Sequence, residues 1–182
     1  MKLFYVILGA TPRGRHIEQH DIFFGIAESL KELVPAMKAF WPEAEGKIHI
    51  DAWQEVRFVD GYEVIVQEKN GERCEEQLFF VNLGGYKPGA FIELHEHHLF
   101  VGKTVGEAVK KSKQTEFYKT MGFKYAESHI DEKYGVDVDD VFRISDILPQ
   151  SMREKYSIFL KKSDKAVQEN HVAIGYLKIE KV

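Results

Sequence analysis

Leu3-Phe4-Tyr5-Val6-Ile7-Leu8-Gly9 and Leu78-Phe79-Phe80-Val81-Asn82-Leu83-Gly84 read as two copies of one apolar run, and their register decides how the rest of the chain is parsed. With Leu3 laid on Leu78, the match continues without a gap through Gly14/Gly89, Ile17/Ile92, Glu18/Glu93, His20/His95, Asp21/Glu96, Ser29/Thr104, Glu32/Glu107 and Val34/Val109. After a short insertion it resumes at His49-Ile50-Asp51 against His129-Ile130-Asp131, and then at Asp60 against Asp140. Apolar matches follow from shared packing. Shared Glu, His and Asp need a further reason, so those positions are the candidates for chemistry.

Each copy opens with a run of apolar, β-branched and aromatic residues that ends on glycine, the pattern of a buried strand. A Gly/Pro loop follows, then a second strand over about Ile17 to Ala27 and Ile92 to Lys103. Ser29-x-x-Glu32 and Thr104-x-x-Glu107 are capping boxes and predict a helix start in each copy. Leu30, Leu33, Val34, Met37 and Trp41 share one face of the first helix; Val105, Ala108, Val109 and Ser112 do so more weakly in the second. Pro35 leaves open whether the first helix kinks or restarts there. Strand-like sequence closes each copy, at Lys47 to Phe58 and Tyr62 to Gln67, and at Phe123 to Asp131 and Val141 to Ile147. Asn70-Gly71 lies between two β-prone runs and predicts a hairpin that joins the copies. Tyr156 to Lys161 and His171 to Ile179 predict a last hairpin.

These expectations combine into an α+β fold: two fused β-β-α-β(β) repeats with pseudo-two-fold symmetry, mostly antiparallel sheet, and a C-terminal β-hairpin. A chain of 182 residues with 44% hydrophobic content can bury one core. We therefore expect a single compact domain over 1–182. It divides into repeat 1 (3–66), a hairpin junction (67–77), repeat 2 (78–148) and a hairpin extension (149–182).

The net charge of −4, with acids and bases interspersed, argues against nucleic acid as a partner. Lys103, Lys110, Lys111, Lys113 and Lys119 read as a solvated helix face. The single cysteine, Cys74, excludes an internal disulfide and fits a reducing compartment. No stretch approaches the roughly 20 apolar residues that span a bilayer, so we expect a cytoplasmic protein with no membrane partner.

On a strand, residues i and i+2 share a face. Glu18 with His20, and His49 with Asp51, would then sit side by side, as would Glu93 with His95 and His129 with Asp131. Neighbouring strands would gather Glu, His, His and Asp, the donor mixture of zinc, iron or manganese sites. The second copy adds His97, so the metal candidates there are Glu93, His95, His97 and His129. The bland alternative is structural: imidazole–carboxylate pairs that pin a loop. Asp60-Gly61 reads as a turn. Gly89-x5-His95-x-His97 has the opening spacing of a cupin motif, but Val101-Gly102 stands where the cupin glutamate would be. The loops Gly9–Gly14 and Gly84–Gly89 lack the Gly-Lys-Ser/Thr of a phosphate loop and read as tight turns. His16, His171, Trp41 and Trp53 read as packing or surface residues.

Phe79-Phe80-Val81-Asn82-Leu83-Gly84-Gly85-Tyr86-Lys87-Pro88-Gly89, with Glu93-Leu94-His95-Glu96 after it, resembles a small bacterial family, domain of unknown function 1543. Its members carry one or two copies of the unit. The first copy departs from the signature at Ala10 and at Thr11-Pro12-Arg13-Gly14, which points to the second copy as the more family-like. The resemblance implies a shared fold and assigns no activity. Three functions stand open. The first, which we favour, is a non-enzymatic binding or interaction domain that partners itself as a homodimer or another protein. The second is a metal-dependent enzyme using the Glu-x-His and His-x-Asp set. The third is a structural repeat fusion with no small-molecule site.

Overall fold

The computed structural model describes residues 1–72, 74–122, 141–163 and 170–182, with the backbone of 129–130. Mixed α+β elements form three mostly antiparallel sheets in two compact units, Met1–Arg73 with Leu148–Val182, and Cys74–Ile147. Among the described residues no helix is long and apolar enough to cross a membrane.

In the first unit, β1 (Lys2–Ala10) runs between β2 (Gln19–Ala27) and β3 (His49–Glu55), antiparallel to both. Phe4, Val6, Leu8 and Ala10 point to one side and build a core with Phe23, Leu33, Met37, Ile50 and Ile179. Leu3 and Tyr5, of the other parity, are buried as well. Burial on both faces explains why β1 reads as an unbroken apolar run and not as an alternating one. The short β4 (Phe58–Val59) turns straight into β5 (Tyr62–Glu68) through Asp60 and Gly61. Both turn residues take positive φ, 52° and 79°, as a two-residue hairpin turn requires.

Between β2 and β3 the helix expected at Ser29 is split. A 3-10 turn, Leu30–Leu33, comes first, and α1 (Val34–Phe40) restarts with Pro35 in its first turn, where a missing N–H costs nothing. Ser29 Oγ donates to the Glu32 carboxylate at 3.1 Å and caps no backbone N–H.

In the second unit, β6 (Gln77–Tyr86) pairs with β7 (Glu93–Gly102) on one side. On its other side lie two short strands, β8 (His129–Ile130) and β9 (Val141–Arg143). Phe79, Val81 and Leu83 pack with Phe100, Ala108 of α2 (Val105–Ser112) and Phe117 of α3 (Glu116–Thr120). The capping box at Thr104 forms with a one-residue offset. Thr104 Oγ1 accepts from the Glu107 N–H at 3.3 Å, and Glu107 reaches back to the Lys103 N–H at 2.7 Å. A single helical turn, α4 (Ile144–Ile147), ends the unit with Ile144 buried.

Among the described strands, neither expected hairpin forms. At the junction, β5 belongs to one sheet and β6 to another, so the turn at Asn70-Gly71 joins strands that do not pair. The true tight hairpin is the one at Asp60-Gly61. At the C-terminus, α5 (Gln150–Lys155) leads into β10 (Tyr156–Lys162), which pairs with β5, whereas β11 (Val172–Lys178) pairs with β3. Long-range partners outcompete the local pairing. Asn170 holds the return point: its Oδ1 accepts from the Arg57 and Phe58 N–H groups at 2.8 and 3.0 Å, and its Nδ2 donates to the Phe58 carbonyl at 2.9 Å. Beyond it, Leu177 and Ile179 enter the first unit's core.

Candidate functional site

Gly9 faces His20 on β2 and His49 on β3, so three strands abreast place both imidazoles over one glycine. Glu18 sits just ahead of β2. Asp51 arrives by a different route. The β1–β3 register shifts so that Ile7 faces Ala52 while Leu8 faces Ile50, which leaves Asp51 in a bulge. A bulge re-aims side chains. Plain alternation would have put His49, Asp51 and Trp53 on one face; the shift keeps Asp51 beside His49 and sends Trp53 to the core.

The four side chains meet. His49 Nε2 lies 3.1 Å from Glu18 Oε1 and 3.3 Å from Asp51 Oδ1; His20 Nε2 lies 3.2 Å from Asp51 Oδ2 and 3.5 Å from Glu18 Oε2. Glu18 and His20 are half-exposed, whereas the His49 side chain is only 10% exposed. The distances suit ion pairing but the alignment does not. His49 Nε2 and Asp51 Oδ2 are sealed from solvent and make no hydrogen bond. As the side chains stand, they contact one another around a ring. Among the described residues, no group of three or more His, Cys, Asp or Glu is placed to hold a metal ion.

The floor of this cluster has no room for a side chain. A Cβ on Gly9 would come within 2.3 Å of His49 Nε2 and 2.5 Å of Asp51 Oδ2. Gly9 lies inside β1 and has no positive φ, so it is needed for space and not, as expected, for a turn. The turn glycines are Gly14 and Gly89, at φ 83° and 79°. One further residue touches the cluster. The Tyr176 ring of β11 stands 4.5 Å from the His49 ring, centroid to centroid. No pattern in the sequence marks Tyr176; the glycine at the end of both apolar runs is the available signal for Gly9.

In the second unit, Gly84 faces His95 on β7 and His129 on β8. Glu93 accepts a hydrogen bond from the Tyr86 hydroxyl at 2.7 Å. His97 lies opposite Asn82 and packs edge-on to Phe80. Burial, with His95 and then His98 adding positive charge nearby, lowers its pKa to about 4. His98 Nε2 approaches Glu96 Oε1 at 2.6 Å. The His129 side chain, Asp131 and Asp140 lie outside the described residues. The expected meeting of Glu93, His95, His97 and His129 therefore falls there as well.

No curated protein matches the chain. The crystal structure of a protein Il1583 from Idiomarina loihiensis is similar over 98% of this chain and 97% of that one, with a TM-score of 0.58 and 21% identity, and so shares the fold. Residues 15–66 match the family model described as Domain of Unknown Function (DUF1543). That stretch lies in the first unit and holds Glu18, His20, His49 and Asp51, whereas the sequence signature is fuller in the loop over residues 84–89.

Proposed function

We propose that this protein is a binding domain whose ligand brings a positive charge to Glu18, His20, His49 and Asp51. The observation that carries this is the convergence of two carboxylates and two imidazoles over Gly9, in which the sealed atoms His49 Nε2 and Asp51 Oδ2 lie 3.1–3.3 Å from ionisable neighbours without hydrogen-bond alignment. A buried polar atom whose neighbours are close but poorly aligned is incompletely satisfied, and a ligand that hydrogen-bonds to it gains from that. Two carboxylates carry two negative charges, and imidazole nitrogens accept cations. An ammonium group suits such a set as it stands, whereas a zinc, iron or manganese ion would need the four side chains to turn toward one point. Calorimetric titration with zinc chloride, manganese chloride and n-butylammonium chloride tests the proposal. One probe binds at one site per chain, and binding disappears in Asp51→Asn, which keeps the side chain's shape and removes its charge. Titrations that are silent for all three probes, or unchanged in Asp51→Asn, would exclude it.

The two units are, in this reading, copies of one ancestral unit. Support comes from the registers: Gly9 sits between His20 and His49, and Gly84 sits between His95 and His129. A crystal structure in which the best superposition of the units failed to lay Gly9 on Gly84 and His20 on His95 would contradict the duplication.

A further inference from the structure

Resting on that cation site, we infer that its ligand is an organic ammonium carrying an apolar group. The cluster supplies only half of a recognition surface. The other half is apolar, and it comes from β11. This strand breaks register against β3 where Asp51 bulges: Ile174 faces Ala52, Leu177 faces Ile50, and Gly175 and Tyr176 are the extra residues between them. Gly175 takes φ 134°, a conformation that suits glycine, and the kink brings the Tyr176 ring to His49. Ile174 is 85% exposed and Tyr176 65%, and Ile17, next to Glu18 in the chain, is 75% exposed.

Apolar residues left in water beside a buried charge set fit an amphipathic cation. Its ammonium head has three N–H groups to donate, and the Asp51 and Glu18 carboxylates offer acceptors. Its substituent lies along Ile174 and Tyr176, and the tyrosine face attracts the positive head. Entry is inexpensive. The outer partners of the sealed atoms are Glu18 and His20, both half-exposed, so they can turn toward solvent while His49 and Asp51 stay in place. A bare metal ion would use the donors and leave the apolar rim without a role.

The test compares n-butylammonium, ammonium and zinc chlorides on the full chain and on Tyr176→Ala and Tyr176→Phe, by calorimetry and by the shifts of the histidine ring protons. Tyr176 is exposed, so its truncation leaves the fold intact. Butylammonium binds roughly tenfold more tightly than ammonium, since part of its chain leaves water. Tyr176→Ala weakens butylammonium roughly fivefold, and Tyr176→Phe retains it. Zinc binding that depends on Asp51, with butylammonium no tighter than ammonium or indifferent to Tyr176→Ala, overturns this inference and leaves the cation site standing. If no probe binds, both fall together.

Discussion

Gly9→Ala is the sharpest probe of whether the four polar side chains are packed over β1 or merely drape across it. The added methyl would sit 2.3 Å from His49 Nε2, 2.8 Å from His49 Cε1 and 2.5 Å from Asp51 Oδ2, all well inside contact distance. His49 is nearly buried and cannot swing freely into solvent, so its contacts with Glu18 and Asp51 must stretch or break. Overpacking of this kind costs about 1–3 kcal/mol. Replacing a strand glycine by alanine returns about 0.5–1 kcal/mol, because Gly9 has no positive φ to be strained. The expected net effect is a loss of about 1–2 kcal/mol. Both tryptophans of the chain, Trp41 and Trp53, pack on the first unit's core, so their fluorescence in a urea titration follows that unit. His49→Ala removes the nearest clash, and the Gly9→Ala/His49→Ala pair should recover about 1 kcal/mol relative to the sum of the single changes. Strict additivity, or a Gly9→Ala protein more stable than the parent, would refute the packed arrangement.

Two further outcomes follow from local geometry. Thr104→Ala removes an oxygen that caps the Glu107 N–H and should cost about 1 kcal/mol, whereas Ser29→Ala, which removes no capping bond, should cost clearly less; amide exchange in the two first turns measures the difference. His97 gives a pH dependence of definite sign: the unfolded chain takes up a proton near pH 6.5 that folded His97 refuses until about pH 4, so its contribution is complete above pH 6.5 and is lost as pH falls through that window, by up to about 3 kcal/mol. Thermal unfolding of His97→Gln should show a flatter acid slope, and an identical slope would remove His97 as the source.

What could be read from the sequence was whatever depends on neighbours in the chain. The buried runs of β1 and β6, the Thr104 cap and the Asp60-Gly61 turn all rest on residues a few positions apart, and each appears where its local chemistry places it. That Glu18 shares a face with His20, and His49 with Asp51, was legible for a related reason. A side chain's face follows from its parity, and the repeated spacing marked which positions to compare. Strand partners were not legible. Asn70-Gly71 is as good a turn as Asp60-Gly61, and nothing local says that β5 prefers β10 to β6. That choice is made by side chains distant in sequence, such as Ile158 and Leu160 of β10 against Val66 and Val64 of β5, and by Asn170 gripping Arg57 and Phe58. The bulge at Asp51 was hidden for the same reason, since it exists only as a relation between β3 and β1.

The chain's return to the first unit has a consequence for how the site is divided. The stretch that matches the family model, 15–66, contains Glu18, His20, His49 and Asp51, while Tyr176 and Ile174 lie far beyond it. Charge and shape therefore come from parts of the chain that can vary separately. Among the described strands, β6 has β7 on one side and the short β8 and β9 on the other, and no further strand extends that sheet as β11 extends the sheet of β1. An apolar wall of the β11 kind is thus a feature of the first unit alone among those strands. A ligand that needs only charge would be served equally well without β11. A ligand that also needs an apolar surface would be served only where β11 reaches, which is why substitutions at Tyr176 should retune what is bound, and substitutions at Asp51 should decide whether anything is bound.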